Sequence, residues 1–256
     1  MRKKVFIIIL SCGLAFSFSC SSFNHNGLIL MTWEEYYSQS RRDPYVFELN
    51  TSKGRLLYYG VFHTVNSSSP HLIEIEEKWK EFQPTIALSE GGIWPLEKSK
   101  SKAIRLHGEQ GLLRYLASRD GVVIKSIEPG IIREAVHLLR KFPPKQIKVF
   151  FVLRQAAVNQ MMKKNPNDIS YVEYILRKLS NANKFFRCSP RTLAEFEEIV
   201  YRLFPGLKNW RKVPLSWFCS EKSTRWTNQM CRIVNDFRNK MMVKSLLREL
   251  KKGERV

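Results

Sequence analysis

A histidine closing one apolar run and a glutamate closing the next are the residues of this chain best placed to do chemistry. Gly60-Val61-Phe62-His63 follows a run from Arg55 to Tyr59 that reads as a β-strand, and Ser89-Glu90-Gly91-Gly92 ends a second run that begins at Thr85. In α/β sheets, loops at the carboxyl ends of strands leave polar groups open to a crevice. Gly60 lets the chain turn there with no Cβ in the way. An imidazole and a carboxylate at neighbouring strand ends could share a proton or occupy two positions on a divalent ion. A lone strand-end histidine is more often structural, so the pairing with Glu90 is what singles out His63. A third run over 122–127 delivers Glu128 before Pro129. Glu128 could serve as an acid/base or support the other two; a plain loop carboxylate is the equal alternative.

The other candidates carry less. His71 begins a helix, where a histidine often sits in solvent, and His107 and His137 read as structural. No Gly-x-Ser-x-Gly elbow is present to supply a serine nucleophile. Cys12, Cys20, Cys188, Cys219 and Cys231 lack zinc spacing. One disulfide with a leftover thiol and a set of free buried thiols both fit them.

Several elements must position these groups. Strands over 45–49 and 55–60 flank the polar turn Asn50-Thr51-Ser52-Lys53-Gly54 and predict a hairpin. Ser67-Ser68-Ser69-Pro70 signals the start of a helix over 71–82, with Leu72, Ile75, Trp79 and Phe82 at helical spacing. Strands over 85–89 and 122–127 enclose a helix over 110–118. This strand–helix rhythm predicts an α/β fold with a mainly parallel sheet, entered by the antiparallel hairpin. From Gly130 onward the pattern is helical, over 131–141, 145–164, 170–179, 192–204 and 224–252. Breaks fall at Pro143-Pro144, Pro166, Pro190 and Pro205-Gly206. A multi-helix insertion or cap over about 131–222 within a domain spanning 45–256 is the expectation.

The amino-terminal segment is of another kind. Arg2-Lys3-Lys4, an apolar stretch from Val5 to Phe16 and small residues up to Cys20 predict a signal peptide over 1–19, followed by a linker over 20–44. A transmembrane anchor would need about 20 apolar residues. Ser17-Phe18-Ser19-Cys20 resembles a loose lipoprotein box with Cys20 as the lipidated residue; an ordinary exported protein cleaved nearby is the alternative. Either way the expected location is the cell envelope, as a membrane-anchored lipoprotein or a periplasmic protein. The formal net charge of +20 is scattered through helical segments, and export argues against a nucleic-acid partner. A solvated basic surface near anionic lipid accounts for the sign.

Taken in order, Gly60-x-x-His63, Ser89-Glu90-Gly91-Gly92, the Gly108-Glu109-x-Gly111 helix start, Ser126-Ile127-Glu128-Pro129 and Asp236-Phe237-Arg238-Asn239-Lys240-Met241 give a chain that resembles the TraB/Tiki-like superfamily. That group also gathers erythromycin-esterase-like and ChaN-like proteins. The resemblance implies a site with His63 in the first Gly-x-x-His motif and Glu90 in the acidic position, both as ligands of a divalent metal ion. It implies that Arg238 holds a substrate carboxylate or a developing oxyanion; a surface ion pair is the alternative. Family members carry a second Gly-x-x-His on a strand after the late helix, which has no match here. The chain therefore reads as incomplete at the carboxyl end, with Gly253 as a helix C-cap and Arg255-Val256 as a strand's first residues. Two protein ligands are too few for tight metal binding. The loss of a central strand would also cost several backbone hydrogen bonds, enough to weaken a domain stabilised by only about 5–15 kcal/mol. A metal-dependent hydrolase of peptide or ester bonds, inactive if the domain is truncated, is the implied function. A non-catalytic envelope protein that sequesters a peptide or cofactor is the alternative.

Overall fold

The computed structural model describes residues 44–61, 63–161, 165, 167–220 and 224–256, together with a two-residue antiparallel pairing of Phe23–Asn24 with Gly27–Leu28. The expected signal peptide and Cys20 lie outside the described residues. The chain divides into two compact units, Met1–Glu128 with Asn239–Val256, and Pro129–Arg238.

In the first unit, β1 (Tyr45–Asn50) and β2 (Arg55–Gly60) form an antiparallel hairpin, with Asn50 opposite Arg55 and Tyr45 opposite Gly60. Thr51 closes its turn: the hydroxyl accepts the Gly54 amide at 2.9 Å and donates to the Gly54 carbonyl at 2.8 Å. Helix α1 (Pro70–Phe82) follows, its fixed-φ proline at the start, where no amide is needed. Strand β3 (Ile86–Ser89) then pairs in parallel with β4 (Val123–Ser126), the two being joined by helix α2 (Lys100–Arg119).

The strand period of two divides the core between the two faces of these strands. Leu56, Tyr58, Ile86 and Ile127 pack with Met242, Val243, Leu246 and Leu250 of the last helix. Ala87 and Ile124 pack with Leu72 and Trp79 of α1 and Ile104, Leu112 and Leu116 of α2. Each face buries its own apolar set against helices, which is the layered solution available to a sheet with two apolar sides.

The second unit is helical: α3 (Ile131–Leu138), α4 (Pro144–Met161), α5 (Ser170–Ala182) and α6 (Leu193–Leu203), with short 3₁₀ turns. The expected insertion over 131–222 falls inside it. Phe150, Phe196, Trp210 and Phe218 are fully buried there. Lys148 is also fully buried, and its Nζ donates to Ser180 Oγ at 2.8 Å and to the carbonyls of Cys188 at 2.7 Å and Pro190 at 2.9 Å. These three acceptors match its three donors, and burial lowers its pKa. Cys188, Cys219 and Cys231 are free thiols, so no disulfide joins the described cysteines.

Helix α7 (Trp226–Lys251) belongs to the second unit as far as Arg238 and to the first from Asn239. It ends as a Schellman motif. The Gly253 amide donates to Leu250 O at 3.1 Å and the Glu254 amide to Glu249 O at 3.4 Å, with Gly253 at φ +91°. Glu254–Val256 then extend between β2 and β3. Arg55 N donates to Glu254 O, Val256 N to Arg55 O and Leu57 N to Val256 O, while the amides of Thr85 and Ile86 donate to Arg255 O. The bridge from Arg55 to Arg255 is parallel. Arg255 thus forms an isolated bridge rather than part of a strand.

A mainly parallel sheet is not observed. Helices accompany one antiparallel hairpin and one parallel pair, and the hairpin contains more paired residues. The reason is that β2 and β3 do not pair with each other; among the described residues, 254–256 lie between them, hydrogen-bonded to both.

Candidate functional site

His63 lies just beyond β2 and Glu90 just beyond β3, the two strand ends that face the same gap. Gly60 is the last paired residue of β2, opposite Tyr45, and has no positive φ. Glycine's positive-φ freedom is therefore not used at Gly60. Glu90 is buried, with 9 % exposure, and its charge helps to raise the pKa of His63.

The partner that touches His63 comes from elsewhere. Glu109 Oε1 meets His63 Nδ1, and Glu109 Oε2 accepts the Thr64 amide at 3.4 Å. The Glu109 side chain keeps 10 % of its exposure and His63 35 %. This hydrogen bond is the largest cause of a raised His63 pKa; burial opposes it, and the charges of Glu109 and Glu90 add to it. With Nδ1 held by a carboxylate, Nε2 is the ring nitrogen left for a substrate, a water or a metal.

A break inside α2 delivers Glu109. Gly108 has φ +59° and ψ −141°, which separates a first helical segment from a second that begins at Glu109. A Cβ on Gly108 would stand 2.6 Å from the Thr64 carbonyl oxygen. Backbone meets backbone there, in a conformation only glycine adopts without strain. A Cβ on Gly111 would run into the Ala103 carbonyl and His107, so the second segment folds closely on the first. The Gly108-Glu109-x-Gly111 pattern is a helix start within a longer helical stretch, and its glutamate reaches the histidine. Glu109 is the site residue that strand-end reasoning misses. The signal for it is a glycine pair at a spacing of three within a helical pattern.

These groups form the polar end of a cavity of about 190 Å³ in the first unit. Its walls are largely apolar, from β2, β3, Trp79 and Phe82 of α1, Leu113 of α2 and Leu246 of α7. Around the site the surface is also apolar: Val65, Ile93, Trp94, Leu96 and Leu106 are exposed. His107 is structural, facing the Trp94 ring at 5.2 Å with Nε2 3.4 Å from Glu97. Tyr59 Oη donates to Glu74 Oε2 at 2.7 Å and stands 3.4 Å from the His71 carbonyl.

Glu128 follows β4, half-buried, with its amide 3.4 Å from Ser126 Oγ, and does not line the cavity. Arg238 lies in the second unit, where its Nε stands 3.6 Å from Glu134 Oε1. Both side chains are 8 % exposed, so this is a buried ion pair rather than a surface one. Arg154 is 3.8 Å from the other Glu134 oxygen, and burial is the main cause of a raised Glu134 pKa.

Among the described residues no group of three or more His, Cys, Asp and Glu side chains is arranged to hold a metal ion. His63 and Glu90 supply two donors where catalytic zinc centres use three. No helix among the described residues is long and apolar enough to cross a membrane. Compared with protein-family models, curated proteins and solved structures, the chain matches none.

Proposed function

We propose that the first unit carries a hydrolytic site for peptide or ester bonds, with His63 as its working group. The observation that carries this is the His63–Glu109 pair at the polar end of an apolar cavity. Neutral His63 takes a proton at Nε2 from water as the water attacks an acyl carbon. Glu109 holds the Nδ1 proton and stabilises the imidazolium that forms; as the acyl C–O or C–N bond breaks, Nε2 returns its proton to the departing alcohol or amine, which leaves the free acid. The buried Glu90 adds negative potential that favours the same charged state. Apolar walls recommend an acyl or peptide substrate with apolar groups on it.

The metal-dependent form of this activity would place a divalent ion on His63 and Glu90. Those two side chains are one protein donor fewer than catalytic zinc centres use, so the ion would be weakly held. The mainly parallel sheet belongs to the same proposal: a strand filling the gap between β2 and β3 would add two parallel pairings. We place the site on an exported envelope protein, with a lipid on Cys20 as the anchor. Labelled palmitate incorporated by the wild type and lost in Cys20→Ser would support the anchor, and incorporation by the variant would exclude it.

The test is hydrolysis of nitrophenyl acyl esters and of a quenched-fluorescent apolar peptide by the full chain. Turnover should be lost in His63→Ala and reduced in Glu109→Gln. Turnover that persists in His63→Ala overturns the assignment. Loss on chelation and recovery with added zinc or manganese would establish the metal-assisted form. The cavity also favours a second reading, a binding protein that retains a peptide or cofactor without turnover; saturable binding with no product would select it.

A further inference from the structure

Gln110 directly follows the glutamate that meets His63, on the first turn of the second segment of α2, and it lines the same cavity. Its side chain is tethered at one end. Ser89, the last residue of β3, is buried at 2 % exposure, and its Oγ lies 2.5 Å from Gln110 Oε1. Strand alternation puts Ser89 on the same face as Ala87, which packs in the cluster shared with Leu112 and Leu116 of α2. A separation of 2.5 Å suits an O–H···O bond and is too short for an amide N–H···O. The Ser89 hydroxyl therefore donates and the Gln110 carbonyl oxygen accepts, which fixes which end of the amide is which. The other acceptor within reach of Ser89, the Glu90 carbonyl, is farther away at 3.1 Å. Gln110 Nε2 is left with two N–H donors, and among the described residues it meets no acceptor.

Other donors on the cavity wall are spent. Tyr59 Oη goes to Glu74, Trp79 Nε1 to Asp120 at 2.7 Å and Lys78 Nζ to Glu81 at 3.2 Å. At the polar end stand His63, Glu90 and Glu109. Ionised carboxylates only accept hydrogen bonds. The imidazole has Glu109 on Nδ1 and the reacting water on Nε2. An acyl oxygen brought to this end would thus meet acceptors, and Gln110 supplies the uncommitted side-chain donor among the described residues.

We propose that Gln110 is the carbonyl-recognition residue of this site: its Nε2 donates to the carbonyl oxygen of an uncharged ester or amide, and Ser89 is the positioning residue that turns the amide nitrogen toward it. The assignment rests on the hydrolytic reading of His63. As water attacks the acyl carbon, the carbonyl π pair moves onto that oxygen, and a donor held in advance gains strength as the charge develops. Tethering matters because a loose glutamine would lose rotamer freedom at the moment of reaction. The neighbouring carboxylates set the substrate class. An anion at this end would be repelled by Glu90 and Glu109, whereas a neutral carbonyl is not.

The test uses the full chain, nitrophenyl octanoate as substrate and octyl trifluoromethyl ketone as a probe that cannot be hydrolysed, its binding followed by fluorine NMR. Gln110→Met removes the donor; Gln110→Glu also removes it but keeps an acceptor for Ser89, which guards against a folding defect in the first variant. In Gln110→Met, kcat should fall by about 10²–10³, with KM little changed and the His63 midpoint of the pH–rate profile unmoved. Both variants should bind the ketone about tenfold more weakly, the worth of one hydrogen bond. Ser89→Ala keeps the donor but frees the amide, and should give an intermediate kcat at the same pH midpoint; a kcat equal to the wild type's overturns the role given to Ser89. Ketone affinity equal in the wild type and both Gln110 variants overturns the proposal, as does an unchanged kcat. A lower kcat with a displaced pH midpoint in Gln110→Met would show that the residue acts by holding Glu109 in place, and overturns it too. Turnover absent from the wild type refutes the hydrolytic reading alone: loss of ketone affinity in the variants then upholds Gln110 as a carbonyl donor, and no such loss refutes both.

Discussion

Replacing Gly108 with alanine tests how the site is built. Two costs add at this position. An L-residue at φ +59° costs about 1–2 kcal/mol. The new Cβ would also stand 2.6 Å from the Thr64 carbonyl oxygen and 3.4 Å from its carbon. Backbone on both sides of that contact must move, an overpacking cost of about 1–3 kcal/mol. The sum is about 2–5 kcal/mol, a large share of a stability of about 5–15 kcal/mol. For a chain of this size it lowers the melting temperature by about 5–15 °C. Gly121→Ala is the control, because Gly121 has φ +68° and nothing within 4 Å of its Cβ position. It bears the strain without the clash. Urea unfolding of both variants beside the wild type isolates the contact with Thr64. The movement also separates Glu109 from His63, which an NMR titration reads as a fall in the His63 pKa towards its ordinary value. Equal destabilisation by the two variants, or a His63 pKa unchanged in Gly108→Ala, would refute the account.

Four further outcomes follow from the structure. The His63 pKa is raised from 6.5, first by the Glu109 hydrogen bond, so the stability from this pair is fully present below about pH 6.5 and is lost as pH rises through the higher folded value; Glu109→Gln should flatten that loss in unfolding curves, and an unchanged pH profile would contradict it. Hydrolysis that uses neutral His63 should rise with pH through the same raised value. Lys148→Ala leaves the Ser180 hydroxyl and the carbonyls of Cys188 and Pro190 without their buried donor, and should cost about 1–3 kcal/mol for each acceptor left unpaired in urea unfolding; a total loss under about 1 kcal/mol would show that those acceptors find other partners. Cys231 is buried and its thiol is pushed up to about 11, whereas Cys188 is exposed; in native protein iodoacetamide should modify Cys188 well before Cys231, and the reverse order in a mass-spectrometric time course would refute their placement.

The sequence by itself determined the elements and their order, because these depend on local periodicity and punctuation. Period-two runs over 55–60 and 85–89 became β2 and β3, shortened by a residue at Thr85. Helical spacing of Leu72, Trp79 and Phe82 became the buried stripe of α1. Prolines and glycines fixed the breaks, and Gly253 ended α7 as its residue type requires. His63 and Glu90 were legible for the same reason, as each stands directly beyond a readable strand. Only the tertiary structure decided what those residues meet. Glu109 is 46 residues from His63 and sits in a helix, where no strand-end argument reaches; a backbone contact between Gly108 and Thr64 brings it in. Arg238 reads as a substrate-holding arginine or, alternatively, as a surface ion pair, yet packing buries it against Glu134. The gap between β2 and β3 is also non-local, since its width is set by residues 254–256 pairing with strands about 170 and 200 positions earlier. Local pattern specifies which residues form an element, while burial, pairing partners and shared cavities depend on which distant elements come to rest beside it.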